Sequence, residues 1–348
     1  MRDGFGHVPA PSLRRRLLRH AQVGLCWTCV AGLYRWLGRP RSLCVLMYHS
    51  VAGDGDGRWI APRNRIAPRR FEAQMRFLAR HRRVISLPAL LDMIRHHEPI
   101  QPGTVLLTFD DGYRDSLYVA APILQRYRLP AVLYLCTGYI SRGQNQWADV
   151  LYSAIRCRRR DRLAVQNEPP FDLTGPAGRQ AAYRAVADRL LAVDYATRDA
   201  LLNDVVGQLQ PDEQPPRQTL TWAEVRHLSG HYPDFTLGVH TADHLDLSSM
   251  SVDAAVGEVH RSAEQFEAEM GRRPEHFSFP YSRAVPRVSQ RLGEMGFRSV
   301  ATTEGTMDRT SPNPMDLRRL EAPQGRGLLR YWTSGAHPHL SLKLFGRA

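Results

Sequence analysis

The chain has 348 residues, 43% hydrophobic and 23% charged, which excludes wholesale disorder and leaves room for one large domain or two ordinary ones. Its balance is strongly basic, with 47 Lys and Arg against 34 Asp and Glu and a formal charge of +13. That field favours anionic partners such as acidic lipid head groups, acidic glycans or pyrophosphate carriers, and no nucleic-acid motif is present to make nucleic acid one of them. Residues 1–41 form a basic, amphipathic segment in which Arg14, Arg15, Arg16 and Arg19 precede an apolar stretch over 23–37 broken by Arg35. The stretch is shorter than the ~20 residues a spanning helix needs. Trp27, Tyr34 and Trp36 beside arginines suit the interface of an anionic leaflet, while an uncleaved signal anchor and a core-packing first helix are the alternatives. Five cysteines suggest a reducing compartment. The spacing of Cys26 and Cys29 is open to a zinc or redox role, or to a pair of small hydrophobes.

The first clear strand is 43–48, ending at His49, and a Gly/Asp-rich loop follows at 53–57. Phe71, Met75 and Leu78 fall at helical spacing, and 87–94 reads as a second helix. The apolar run 104–109 stops at Asp110, Asp111 and Gly112, and 131–136 is another strand. Between them Leu117, Ala121 and Leu124 predict a helix despite Pro122. This alternation implies a parallel sheet with crossover helices. Residues 145–218 break the rhythm with an arginine-rich patch, a Pro/Gly linker and mostly helical sequence, read as an inserted helical subdomain. Thr221 and Glu224 make a capping-box start, then 235–239 is a strand and 251–270 a long amphipathic helix. A strand over 276–280, a helix near 285–295 and a strand over 297–301 complete the pattern. From Pro312 onward the tail is poorly patterned.

Four apolar runs each stop at a residue type that does chemistry: His49, Asp110 with Asp111, His240, and Pro280 with Tyr281. In (β/α) barrels the strand ends share one face and carry the active site. Asp110 and Asp111 on their own could be a solvated turn. His240 and His244, four residues apart, add two imidazoles, and with one carboxylate they make the three-ligand set of a catalytic zinc site.

Thr108-Phe-Asp-Asp-Gly112, His240-Thr-Ala-Asp-His244 and Phe279-Pro-Tyr281 resemble the first three motifs of the polysaccharide deacetylase family, the NodB-homology domain of carbohydrate esterase family four. The run 43–51 resembles the opening strand of the branch whose motifs are circularly permuted. The resemblance implies an α/β fold, a distorted (β/α) barrel of about seven strands with a helical insertion, over residues 42–345. It implies a divalent metal, zinc, held by Asp111, His240 and His244, with Asp110 as the base that deprotonates the attacking water. Pro280 and Tyr281 would shape the pocket, and the Tyr281 backbone N–H would stabilise the oxyanion. His49 would protonate the departing amine, as its counterpart does in the permuted branch; His337 and His339 are the other candidates.

The substrate so implied is an N-acetylated glycan or lipid-linked sugar, and the expected location is cytoplasmic, at the inner face of the plasma membrane. Three departures stand out: no arginine opens the third motif near Ser278 and Phe279, Ser282 replaces a common glycine, and Leu245 a common proline. An amidohydrolase acting on a non-sugar amide or cyclic imide, or a catalytically silent glycan- or membrane-binding protein, are the rival readings.

Overall fold

A computed structural model describes residues 43–302 and 312–334. The N-terminal segment 1–41, Cys26, Cys29, His337 and His339 lie outside the described residues. In chain order the elements are β1 (Leu43–Tyr48), α1 (Pro68–His81), β2 (Arg83–Val84), α2 (Leu87–Arg95), β3 (Thr104–Phe109), α3 (Ala121–Tyr127), β4 (Ala131–Leu135) and α4 (Thr137–Arg142). There follow α5 (Trp147–Arg156), β5 (Arg162–Leu163), β6 (Phe171–Asp172), α6 (Pro176–Leu191), α7 (Tyr195–Leu209), α8 (Trp222–His231) and β7 (Phe235–Val239). The chain continues through α9 (Val252–Met270), β8 (His276–Ser278), α10 (Pro286–Glu294), β9 (Ser299–Thr302), β10 (Leu317–Glu321) and α11 (Arg326–Trp332).

Seven parallel strands close into a barrel in the order β1-β3-β4-β7-β8-β9-β10 and back to β1. β1 covers one edge of β3 throughout, from Leu43↔Thr104 to Tyr48↔Phe109. The other edge is shared by β2 at its start and β4 at its end. Side chains alternate across each strand. Leu43, Val45, Leu106, Val132, Tyr134, Ala301 and Leu317 fill the interior, and Leu87, Leu90 and Leu91 of α2 close the mouth at the strand starts. The opposite set, including Cys44, Leu46, Tyr48, Leu107 and Phe109, packs outward on helices such as α1 through Phe71, Met75 and Leu78. Gly238 has no substitute here, because a Cβ would stand 2.7 Å from the Tyr134 ring that occupies the barrel.

Local chemistry explains the helix starts. Ser86 caps α2, Ser251 caps α9, and the Thr221–Glu224 capping box opens α8. Pro122 lacks an N–H, so the predicted helix does not run straight through it: a π-turn at Ser116–Ala120 precedes α3. β8 stops at Ser278, since Pro280 brings no donor to a ladder, and β9 begins at Ser299 rather than at Phe297.

Two expectations are corrected. The Pro/Gly linker contains a short antiparallel ladder, Arg162↔Asp172 and Leu163↔Phe171. The tail after Pro312 is not patternless; it supplies β10, the strand that closes the barrel, and α11. Its periodicity was hidden because an arginine, Arg319, occupies an interior position where a strand normally shows an apolar residue. Helices α5, α6 and α7 gather round a second core built on Leu151, Ile155, Val186, Leu190, Leu202 and Leu209, which abuts the barrel at Cys136 and Tyr139.

Candidate active site

The carboxyl ends of the barrel strands surround a cleft of about 440 Å³. His49, Asp110, Asp111, His240, His244 and Tyr281 all line it, so the strand ends bring together the chemistry-bearing residues expected from the sequence. Pro280 is buried beside them. Tyr183, Arg184 and Leu191 of α6 form part of one wall.

Asp110 and Asp111 leave β3 in different conformations. Asp111 takes φ +74° and Gly112 φ +72°, which turns the second carboxylate back into the cleft beside the first. Thr241, His244 and Tyr281 also have positive φ. Such backbone is uncommon for residues with a Cβ and costs about 1–3 kcal/mol each, so surrounding contacts must hold it.

Asp110 is held by Arg319, which reaches it from β10. The guanidinium is fully buried, and every N–H is used. Nη1 and Nη2 each donate to one Asp110 oxygen at 2.7 Å, Nη1 also to Thr108 Oγ1 at 3.2 Å, Nη2 to Ser278 Oγ at 2.6 Å, and Nε to the Thr302 carbonyl at 3.3 Å. The small Ser278 leaves room for the guanidinium from the other strand. Burial alone would raise the Asp110 carboxyl, but Arg319, aided by His240, overrides it and holds the group at about 2. Burial and the charge of Asp110 push Asp111 well above the ordinary range.

Both motif histidines are oriented by their Nδ1 atoms. His240 Nδ1 lies 2.7 Å from the Ser278 carbonyl, which can only accept, so the proton sits on Nδ1 and Nε2 carries the lone pair. The Tyr281 hydroxyl donates to the His244 carbonyl at 2.9 Å, and accepts from Trp147 Nε1 at 2.9 Å. Its one proton is spent, so the 2.7 Å contact with His244 Nδ1 is a bond that His244 donates. Burial lowers His240, and burial with the neighbouring His240 lowers His244 further, so both rings are neutral.

The free Nε2 atoms face the carboxylates: Asp111 Oδ1 is 3.3 Å from His244 Nε2, and His240 Nε2 stands 3.7 Å from both Asp111 Oδ1 and Asp110 Oδ2. Zinc bonds of about 2.0–2.2 Å in a tetrahedron put ligand atoms roughly 3.3–3.6 Å apart. The spacing of Asp111 from each imidazole suits a divalent ion, and ligating histidines tied at the other nitrogen are the usual arrangement. Cys136 is a donor that the sequence reading missed. Its Sγ, with Asp111 and His244, lies in a group whose donor atoms are within 4.8 Å of one another, with His240 outside it. Its thiol is raised by burial and bonds Asp111 Oδ1 at 3.9 Å and the His240 carbonyl at 3.6 Å.

His49 follows Tyr48, whose carbonyl accepts the Asp110 N–H at 3.0 Å. The next residues are pinned by Asp115, which accepts from Ser50 Oγ at 2.6 Å and Val51 N at 2.8 Å. Burial lowers His49, while the carboxylates of Asp110 and Glu321 oppose that shift.

Comparison with known proteins places similar sequence and a similar fold among deacetylases. The family described as polysaccharide deacetylase matches residues 97–157 and 205–300, on either side of α6. A Bacillus subtilis protein named as a polysaccharide deacetylase, YxkH, is 31% identical over 99 residues, 28% of this chain and 33% of that protein, so the match spans about a third of the relative's length. Among solved structures, the Streptococcus pyogenes deacetylase PplD in complex with acetate has a TM-score of 0.57 at 16% identity, over 84% of this chain and 99% of that one. IcaB from Ammonifex degensii has a TM-score of 0.56 at 17% identity, over 85% and 98%. Over the matched residues, fewer than half of the chain, the sequence is similar to polysaccharide deacetylases, and the solved deacetylases share its fold.

Proposed function

We propose that this chain is a metal-dependent N-deacetylase that hydrolyses acetamido groups of N-acetylhexosamine units in a surface polysaccharide or its lipid-linked precursor. The observation that carries the reading is the pairing of an ionised, arginine-held Asp110 with two neutral histidines aimed at Asp111. A divalent ion, zinc in this reading, held by Asp111, His240 and His244 would act as a Lewis acid, polarising the acetamido carbonyl and acidifying the attacking water. His240 is preferred to Cys136 as a ligand because its lone pair already faces Asp111, whereas burial keeps the thiol protonated.

The remaining steps fall to side chains. Asp110 accepts the proton that the attacking water loses as its oxygen bonds to the carbonyl carbon. The Tyr281 backbone N–H donates to the oxygen on which charge develops, and Pro280 with Tyr281 shapes the pocket. When the carbon–nitrogen bond breaks, His49 donates a proton to the amine, and acetate and a free amino sugar leave. Burial lowers His49 overall, and the carboxylates of Asp110 and Glu321 oppose that shift. The basic segment 1–41 would bring the enzyme to an anionic leaflet, the inner face of the plasma membrane in this reading, where a lipid-linked substrate resides; no helix among the described residues is long and apolar enough to cross a membrane. Acetate release from N-acetylated oligosaccharides and lipid-linked sugars, with and without chelator, tests the proposal.

A further inference from the structure

The helical segment α5–α7 reaches each of the three motif loops with a hydrogen bond. On the first, Gln146 Nε2 donates to the Asp111 carbonyl at 3.4 Å and Asp149 accepts from the Tyr113 hydroxyl at 2.7 Å. On the second, Arg198 Nη1 donates to the carbonyls of Asp243 at 2.9 Å and His244 at 3.3 Å. On the third, Trp147 donates to the Tyr281 hydroxyl at 2.9 Å. Arg198 is 1% exposed, and its Nε is committed to the Leu190 carbonyl at 3.0 Å, so α6 and α7 are locked to the same point.

His244 sits at φ +50° and Tyr281 at φ +55°, conformations that persist only when neighbours over-determine them. Besides the two bonds that His244 and Tyr281 make to each other, the contacts that do so come from the helices outside the barrel. Trp147 and His244 both donate to one tyrosine oxygen, which fixes the imaginary line from His244 Nδ1 through the ring to Nε2. Arg198 holds the carbonyl of that same residue from the other side.

Resting on the reading that Asp111, His240 and His244 hold a metal, we propose that helices α5 to α7 complete the metal site. Trp147 and Arg198 are positioning residues that set the aim of His244. Outer hydrogen bonds of this kind are worth on the order of 10–100-fold in metal affinity.

The test uses the full-length chain stripped of metal and titrated with zinc against a coloured chelator. Trp147→Phe weakens zinc binding roughly tenfold and Arg198→Lys by on the order of 10–100-fold. The metal-free Trp147→Phe variant melts cooperatively as the wild type does, and Asn203→Ala, in the same helix as Arg198, leaves zinc affinity unchanged. In a Tyr281→Phe background Trp147→Phe has no further effect, because the shared hydroxyl is gone; equal effects in both backgrounds overturn the positioning role. If Arg198→Lys does not fold, Trp147→Phe and its Tyr281→Phe cycle decide alone. Loss of zinc in Asp111→Ala with wild-type affinity in Trp147→Phe and Arg198→Lys overturns this inference only. Zinc retained in Asp111→Ala overturns the reading of the site beneath it.

Discussion

Arg319 grips Asp110 with both prongs of its guanidinium at 2.7 Å, on side chains 0% and 2% exposed. The pair joins β10 to β3 across the barrel interior, and keeps one of two adjacent carboxylates ionised at neutral pH. Arg319→Met would strand a buried charge beside Asp111, at a cost of about 3–5 kcal/mol. Because the folded Asp110 is depressed to about 2, the pair's stabilisation is present above the ordinary carboxylate range and lost as pH falls through about 2. Denaturant unfolding at neutral pH should show that loss in full. The acid limb of kcat/KM should move to higher pH in whatever fraction folds, and an unchanged stability and acid limb would contradict the pairing's role.

His49 is expected to act without touching the metal. His49→Ala should keep its fold and bind zinc normally, yet lose turnover by the ~10²–10⁴-fold typical of general acid catalysis. Near-normal activity refutes the assignment, as does a loss that occurs only in His337→Ala or His339→Ala.

Asp149 gives the stability curve an unusual sign. Burial raises its carboxyl to about 7, against the hydrogen bond from Tyr113, and burial raises Asp115 to about 6. A carboxyl raised on folding binds more protons in the native state than in the unfolded one. Stability from these groups is therefore greatest below the ordinary carboxylate range and declines as pH rises through about 6 to about 7. Thermal midpoints of the metal-free protein should fall over that interval, and Asp149→Asn should flatten the decline. A variant with the same slope as wild type removes Asp149 from the explanation.

The N-terminal segment carries a separate prediction. Removal of residues 1–41 should abolish sedimentation with anionic vesicles, and raising salt should weaken it in the full chain. Equal pelleting of both chains at low and high salt counts against a membrane role.

Much of the barrel was legible because strands such as 104–109 and 131–135 are continuous apolar runs that stop at a chemical residue, the signature of strands buried on both faces. The candidate site was legible for the same reason: its side chains sit at strand ends, next in sequence to the apolar signal. Arg319 was not, because it lies inside a strand whose interior positions read Leu, Arg and Glu. Trp147 and Arg198 were hidden for another reason. Their partners are a tyrosine hydroxyl and three backbone carbonyls brought close only by tertiary packing, and helical periodicity says nothing of that.

The central claim is that this site removes acetyl groups with a divalent ion held through Asp111. The most direct measurement is acetate released from N-acetylated hexosamine oligomers and lipid-linked N-acetylhexosamines by the full-length protein. It is run with zinc, with a chelator, and with zinc restored, alongside Asp111→Ala. The account predicts stoichiometric acetate and free amine with zinc, loss on chelation, recovery on restoration, and neither bound zinc nor acetate from Asp111→Ala. Acetate release that persists undiminished in the chelator, or in Asp111→Ala, would contradict it.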